Sequence, residues 1–360
     1  MEKKPSNNIL DVSLFKRLMV FVKPYRKTFA FVLLAAVFLS GFSTLSPYLL
    51  KITIDDYITV KDYEGMLVLI ALMGATLIME VIFQFMFIYY ANWLGQHVIF
   101  DLRNTLYTHM LQFKMTYYDN SAVGRLVTRV VSDIETISGI FSQGLFMIIS
   151  DLLKMVVVIV VMWSVSWKLA LIVFAVLPLI LYATRKFQKA MKVAFDEVRT
   201  QVANLNSFVQ ERISGMSIVQ LFAREQTESK AFREINDKHR KAWLKTVWYN
   251  SIFFPIAELS TSVTIGLLVW FGGLNVIAGS SGITLGIIFL FIQLSQMLFR
   301  PLRQIADKFN TLQMGMVAVR RVVAVLDTDE TIPNHGKIKN TEIKGELRFE
   351  ELHFSYKKDE

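Results

Sequence analysis

The chain has 360 residues, 53% of them hydrophobic, and a positive mean hydropathy, which is too apolar for a soluble domain whose surface needs charge. Its formal net charge is +9, but the Lys and Arg lie beside long uncharged stretches. That is the mark of membrane topology and not of a nucleic-acid-binding face, so no nucleic acid partner is expected. With no Cys in the sequence, structural disulfides and thiolate metal sites are excluded.

Residues 1–27 are polar and basic, with seven Lys/Arg against two acids. The apolar run that follows is too long for a signal-peptide core, so the segment reads as an uncleaved N-terminus. A helix needs about 20 apolar residues to cross the hydrocarbon core. Residues 28–50 form an uncharged first span of that length, and residues 66–96 form a second, interrupted by Glu80. Residues 137–167 hold the third, with Asp151 and Lys154 inside it, and residues 169–184 the fourth, after a tight turn at Ser166. Residues 259–299 are uncharged over 41 positions, enough for two spans, and the Gly and Ser cluster at 275–282 marks the turn between them.

Orientation follows from the loops. Residues 51–65 carry two Lys and four acids, and the connections at 164–168 and 275–282 are nearly uncharged, whereas residues 185–250 carry thirteen Lys/Arg against seven acids. The basic loop belongs in the cytoplasm, and six spans then put both termini there as well. The expected location is the inner cell membrane, crossed several times.

The two inner loops are too long to be turns. Phe187, Met191, Ala194, Val198, Val202, Leu205 and Val209 recur in steps of three and four, an apolar stripe close to a heptad seam. Val98, Leu102, Leu106, Met110 and Phe113 do the same in the first loop, and Leu126, Val130, Ile134 and Ile137 run back. Helix-ending residue types interrupt each loop, at 117–124 and at 213–217. Spans two to five are therefore expected to continue as helical hairpins roughly 30–45 Å into the cytoplasm. Soluble helices folded back on the membrane surface are the alternative.

At this point the pattern resembles the membrane domain of an ABC exporter. Residues 17–26 are similar to the interfacial helix that opens that domain. Residues 113–126, followed by Arg129 and Asp133, resemble its first coupling segment, residues 211–225 its second, and residues 345–356 the first strand of its nucleotide-binding domain. The resemblance runs in order over essentially the whole chain. It implies a second half-transporter subunit, identical or different, with hydrophobic small molecules moving between the spans. It also implies contact of the two tips with ATPase domains, one on the same chain and one across. Tyr117, Tyr118, Asp119, Asn120, Gly124, Arg125, Ser214, Gly215 and Met216 are then the coupling residues, and Tyr356 the aromatic that stacks on adenine. ATP with Mg is implied as cofactor. The sequence departs from the family in one respect. No G-x-x-x-x-G-K-[ST] phosphate loop occurs in it, and without that loop nothing cradles phosphates. A clipped gene, or a fragment of a longer chain, is the expected explanation, and no ATP hydrolysis is expected of these residues alone.

Charge inside a span is costly and often functional. Glu80, Asp151 and Glu258 each lie about 14–15 residues from the outer ends of their spans, roughly 20 Å by helix rise. Asp151 and Lys154 share a helix face and read as a structural pair. Glu80 and Glu258 are candidate substrate-path residues that would favour cationic amphipaths if they face the cavity. The aromatic and Met side chains of spans two and six read chiefly as packing or lipid contacts. Pro47, Pro178, Pro255 and Pro301 fall in or beside spans. His97, His109, His239, His335 and His353 lack metal-ligand spacing and read as surface or packing residues, and no nucleophile–base arrangement appears.

The expected fold is all-α: a six-helix membrane domain at 28–327 with two cytoplasmic hairpins, a linker at 328–344, and a short β segment that begins a further domain at 345–360. The expected function is ATP-driven export of hydrophobic or amphipathic compounds such as drugs or lipids. A six-span secondary transporter and a non-transporting membrane module are the rival readings. The first would show internal repeats, and none is evident.

Overall fold

The computed structural model describes residues 12–278, 282–331, 345 and 348–353. Helix α1 (Val12–Val20) and a 3-10 turn (Lys23–Tyr25) lead into α2 (Arg26–Ile52), which passes directly into a π turn (Thr53–Ile58). Helix α3 (Tyr63–Met110) reaches a first tip made of α4 (Met115–Asp119) and the start of α5 (Val123–Thr128). The return rod continues through a π turn (Arg129–Asp133), α6 (Ile134–Gly139), a second π turn (Ile140–Leu145) and α7 (Phe146–Val165). Helix α8 (Trp167–Ser214), the second tip with α9 (Met216–Leu221), α10 (Glu225–Ala278) and α11 (Leu285–Leu326) complete the order. Among the described residues, six helical stretches are long and apolar enough to cross a membrane, as expected.

At the end away from the tips, short polar side chains start the helices. Asp62, Ser166 and Thr284 are all in extended backbone conformation and accept bonds from the N–H groups of Gly65, Leu169 and Ile287. Each thereby satisfies one donor that a helix start leaves open. At the tip end nothing stops the helices at membrane thickness. Helix α3 has 48 residues, roughly 70 Å at 1.5 Å per residue, against a hydrocarbon core of about 30 Å. The surplus is the stalk.

Among the described residues, two cores hold the rods together. Toward the tips, Leu102 and Leu106 of α3, Ile134 and Ile137 of α6, and Val319 and Val322 of α11 share one buried cluster with Leu18 of α1. Toward the other end, Val158 and Met162 of α7 meet Leu169 and Val173 of α8, Leu268 of α10, and Phe291 and Leu294 of α11. Helix α11 belongs to both, so it is the shaft around which the bundle packs. Polar contacts pin its outer start: Asp55 of the first π turn accepts from Thr284 Oγ1 at 2.5 Å and from the Gly286 N–H at 2.8 Å. A Cβ at Gly286 would strike the Lys51 backbone oxygen and the Asp55 carboxylate, so glycine is what allows this approach.

The expected C-terminal β segment is not seen. Residues 348–353 carry no regular structure, and no strand occurs among the described residues. A strand exists by pairing with a neighbour, and the described chain offers residues 348–353 none. Tyr356 and most of the expected linker, residues 332–344, lie outside the described residues.

Candidate functional site

The first tip is an aromatic knot with an exposed cap. Phe113 is buried; its ring lies 4.5 Å from Tyr117 and edge-on to His109 at 4.9 Å. The Tyr118 hydroxyl donates to the Met110 carbonyl at 2.6 Å, tying α4 back to the last turn of α3. Asn120 Nδ2 donates to the Thr116 carbonyl at 2.9 Å and closes α4. The coupling residues expected here therefore divide by role. Tyr117 and Tyr118 are half-buried anchors, whereas Asp119, Asn120, Gly124 and Arg125 are exposed and free to meet a partner.

The second tip is longer than the break at 213–217 suggests. Helix α8 ends at Ser214, Gly215 turns the chain, and α9 follows. Ala223 stands at φ +48°, and the bonds Arg224 N–H to Val219 O and Ala223 N–H to Gln220 O complete a Schellman cap with alanine where glycine is usual. Arg212 Nε donates to Glu228 across the hairpin at 2.5 Å, while its guanidinium lies over the Phe208 ring. Ser214 and Met216 are exposed and Gly215 is half-buried. Ile213, Ile218, Leu221 and Phe222 are exposed as well, as are Met115 and Val123 on the first tip, so both tips present apolar side chains beside their polar ones.

The charges in the spans group differently from the sequence expectation. Asp151 pairs with Lys308 of α11, not with Lys154. Residues three apart share a helix face, but α11 packs on α7 and delivers a cation from across the interface. Lys154 instead has Glu80, Arg300 and Asp151 as its charged surroundings. Glu80 thus joins a cluster drawn from α3, α7 and α11; Glu258, exposed on α10, is not among the charges around Lys154.

One further group was only partly legible in the sequence. Asp133, buried, accepts from Arg129 at 2.6 Å and lies 3.3 Å from Arg321 of α11. The Arg129–Asp133 spacing was a legible signal, but the partner 188 residues away was not. This triad joins the return rod of the first tip to the shaft helix.

Residues 29–302 match the ABC transporter transmembrane region. The chain is 28% identical over 345 residues to the uncharacterized ABC transporter ATP-binding protein YknV of Bacillus subtilis (strain 168), covering 94% of this chain and 56% of that protein. It is 26% identical over 359 residues to the ATP-dependent lipid A-core flippase of Syntrophus aciditrophicus (strain SB), covering 97% and 58%. It is 27% identical over 359 residues to the putative multidrug export ATP-binding/permease protein YgaD of B. subtilis (strain 168), covering 97% and 61%. The chain therefore spans somewhat over half the length of these relatives.

Proposed function

The chain belongs to the ABC transporter transmembrane family, and on that basis we propose that it is the membrane-spanning part of an ATP-driven exporter that carries hydrophobic or amphipathic compounds out of the cell by alternating access. The observation that carries this reading is the continuity of the rods: α3, α8 and α10 run from apolar spans to the two tips without an intervening loop. A push at a tip moves the attached span. In this reading the tips and both termini face the cytoplasm of a cell whose inner membrane the protein crosses, and two such subunits enclose the substrate path. Asp119, Asn120, Gly124 and Arg125 on the first tip, and Ser214, Gly215 and Met216 on the second, are the contacts with ATPase domains. ATP and Mg would be held by those domains, because no phosphate loop occurs in these 360 residues. ATP energy can bias the spans only through a difference in affinity between two states of the assembly.

The substrate class is proposed as amphipathic, the range covered by the flippase and multidrug-export names of two relatives. Glu80, beside Lys154, and Glu258 are the candidate determinants of charge preference. The test is ATP hydrolysis and vesicle transport by a purified dimer carrying its ATPase domains, challenged with a panel of lipids and lipophilic drugs. Stimulation by members of the panel is expected, and a flat response across it removes the reading. Glu80→Gln and Glu258→Gln should each lower transport of a lipophilic cation several-fold while leaving a neutral compound unaffected.

A further inference from the structure

The five residues that follow α11 are held to the body at four points. Asp327 accepts a two-pronged bond from Arg17 of α1, at 2.6 and 2.5 Å. His109 Nε2 donates to the Thr328 carbonyl at 3.1 Å. The Lys114 N–H donates to the Glu330 carbonyl at 2.8 Å. Thr331 stands opposite Phe113 in an antiparallel bridge. Three of these contacts land on residues 109–114, the joint between α3 and the first tip. The fourth reaches α1. The contacts sit beside the packed cluster that Leu18 shares with Leu102, Val319 and Val322, where an apolar cavity of about 300 Å³ remains, lined also by Phe21 and Leu326.

We infer that residues 327–331 are a third coupling contact: a clasp that ties the chain leaving the shaft helix to the first tip, so that a domain attached there moves the tip through the covalent chain as well as by pressing on its exposed face. This rests on the proposed ATPase-driven reading. The two surfaces differ in kind. The exposed face of the tip transmits a push only while it is in contact. The clasp also transmits a pull, because its Lys114 N–H to Glu330 carbonyl bond runs between backbone groups of the two segments. The Arg17 fork fits the same role. Its hydrogen bond holds the Asp327 carboxyl below its ordinary value, so the contribution of the pair is full above the ordinary carboxylate range and is lost only as pH falls through the lowered value.

The test uses the dimer with its ATPase domains. Lys114 has φ −65° and ψ 149° and follows a residue held extended in the bridge, so Lys114→Pro removes one donor without straining the backbone. Transport per ATP hydrolysed should fall about fivefold, the equivalent of one net hydrogen bond. Amide exchange at 327–331 should rise. Arg17→Asp and Asp327→Arg should each lower the ratio, and the double swap should restore it, which misfolding of either single variant would not allow. A parent-like ratio in all three single variants, with exchange at 327–331 raised, overturns the clasp as a coupling element; unchanged exchange in Lys114→Pro overturns it as a contact. If the parent itself shows no substrate-stimulated hydrolysis, the transporter reading fails and the inference goes with it.

Discussion

Asp133 is only 5% exposed, and two guanidinium groups reach it from different elements. Removing one member of a buried pair is far more damaging than never having had the pair, since the remaining charges stay desolvated. Arg321 is half exposed and can turn to water, so the lower end of the usual range applies. Asp133→Ala should destabilise the protein by about 3 kcal/mol, read as a shift of the unfolding midpoint in detergent or lipid discs. Arg103→Ala, which breaks the exposed 3.5 Å contact with Glu135, should shift it by less than about 0.5 kcal/mol. Equal shifts would show that burial does not set the strength of this triad. The same scale explains the misassigned partner of Asp151. Spacing along one helix identifies Lys154 as a neighbour, but the choice between neighbours is made by a helix 157 residues away, and single-sequence spacing carries no information about that approach.

The stalk hairpin of α8 and α10 shows how far periodicity reaches at the level of elements. Of the stripe read from the sequence, Met191, Ala194 and Val198 are buried, while Val202 and Val209 are 38% and 37% exposed, so the seam opens toward the tip. Rings take over along it. Phe187 stacks on Phe253 at 3.9 Å, Phe195 meets Trp243 edge-on at 6.3 Å, and Phe208 meets Phe232 at 6.2 Å. Phe253 is the buried member of the closest pair. Phe253→Ala should cost about 3 kcal/mol, visible as faster amide exchange in residues 185–198 and 240–255. Lys245→Ala, which removes the exposed bridge to Glu197, should change exchange little, because exposed ion pairs contribute about 0–1 kcal/mol. Slower exchange in Lys245→Ala than in Phe253→Ala would fit; the reverse order would mean that charge and not ring packing zips the hairpin. The hairpins and their breaks were legible because burial repeats along a helix. The π turns at 53–58, 129–133 and 140–145 and the short helix α9 were not. A π turn adds one residue to a winding without changing residue type, and α9 closes on Ala223, which carries no glycine signal.

At the scale of the whole molecule the accessible surface is 24,438 Å², whereas a compact globule of 41.4 kDa would expose about 15,000 Å². Lipid accounts for part of the excess, over the spans. It does not account for the arm. Trp243 and Leu244 are exposed although they lie about 21–22 Å toward the tip from Glu258, beyond the roughly 10 Å by which the span continues past that residue. Apolar surface placed outside the bilayer calls for protein cover, and Val193 and Phe195 of α8 extend the same demand. The cover that fits the proposed half-transporter is a second subunit packed along this arm. Leu244→Arg should therefore convert a dimer into a monomer, as read by light scattering or native mass in lipid discs. Lys238→Glu, at an exposed polar position of the same helix, should leave the dimer intact. The single-chain fold should survive the substitution, since the hairpin's own buried contacts at Met191, Ala194, Val198 and Ala242 do not involve the replaced side chain. A dimer that withstands the arginine would assign this face to something other than the partner subunit and would leave the proposed pairing without its surface.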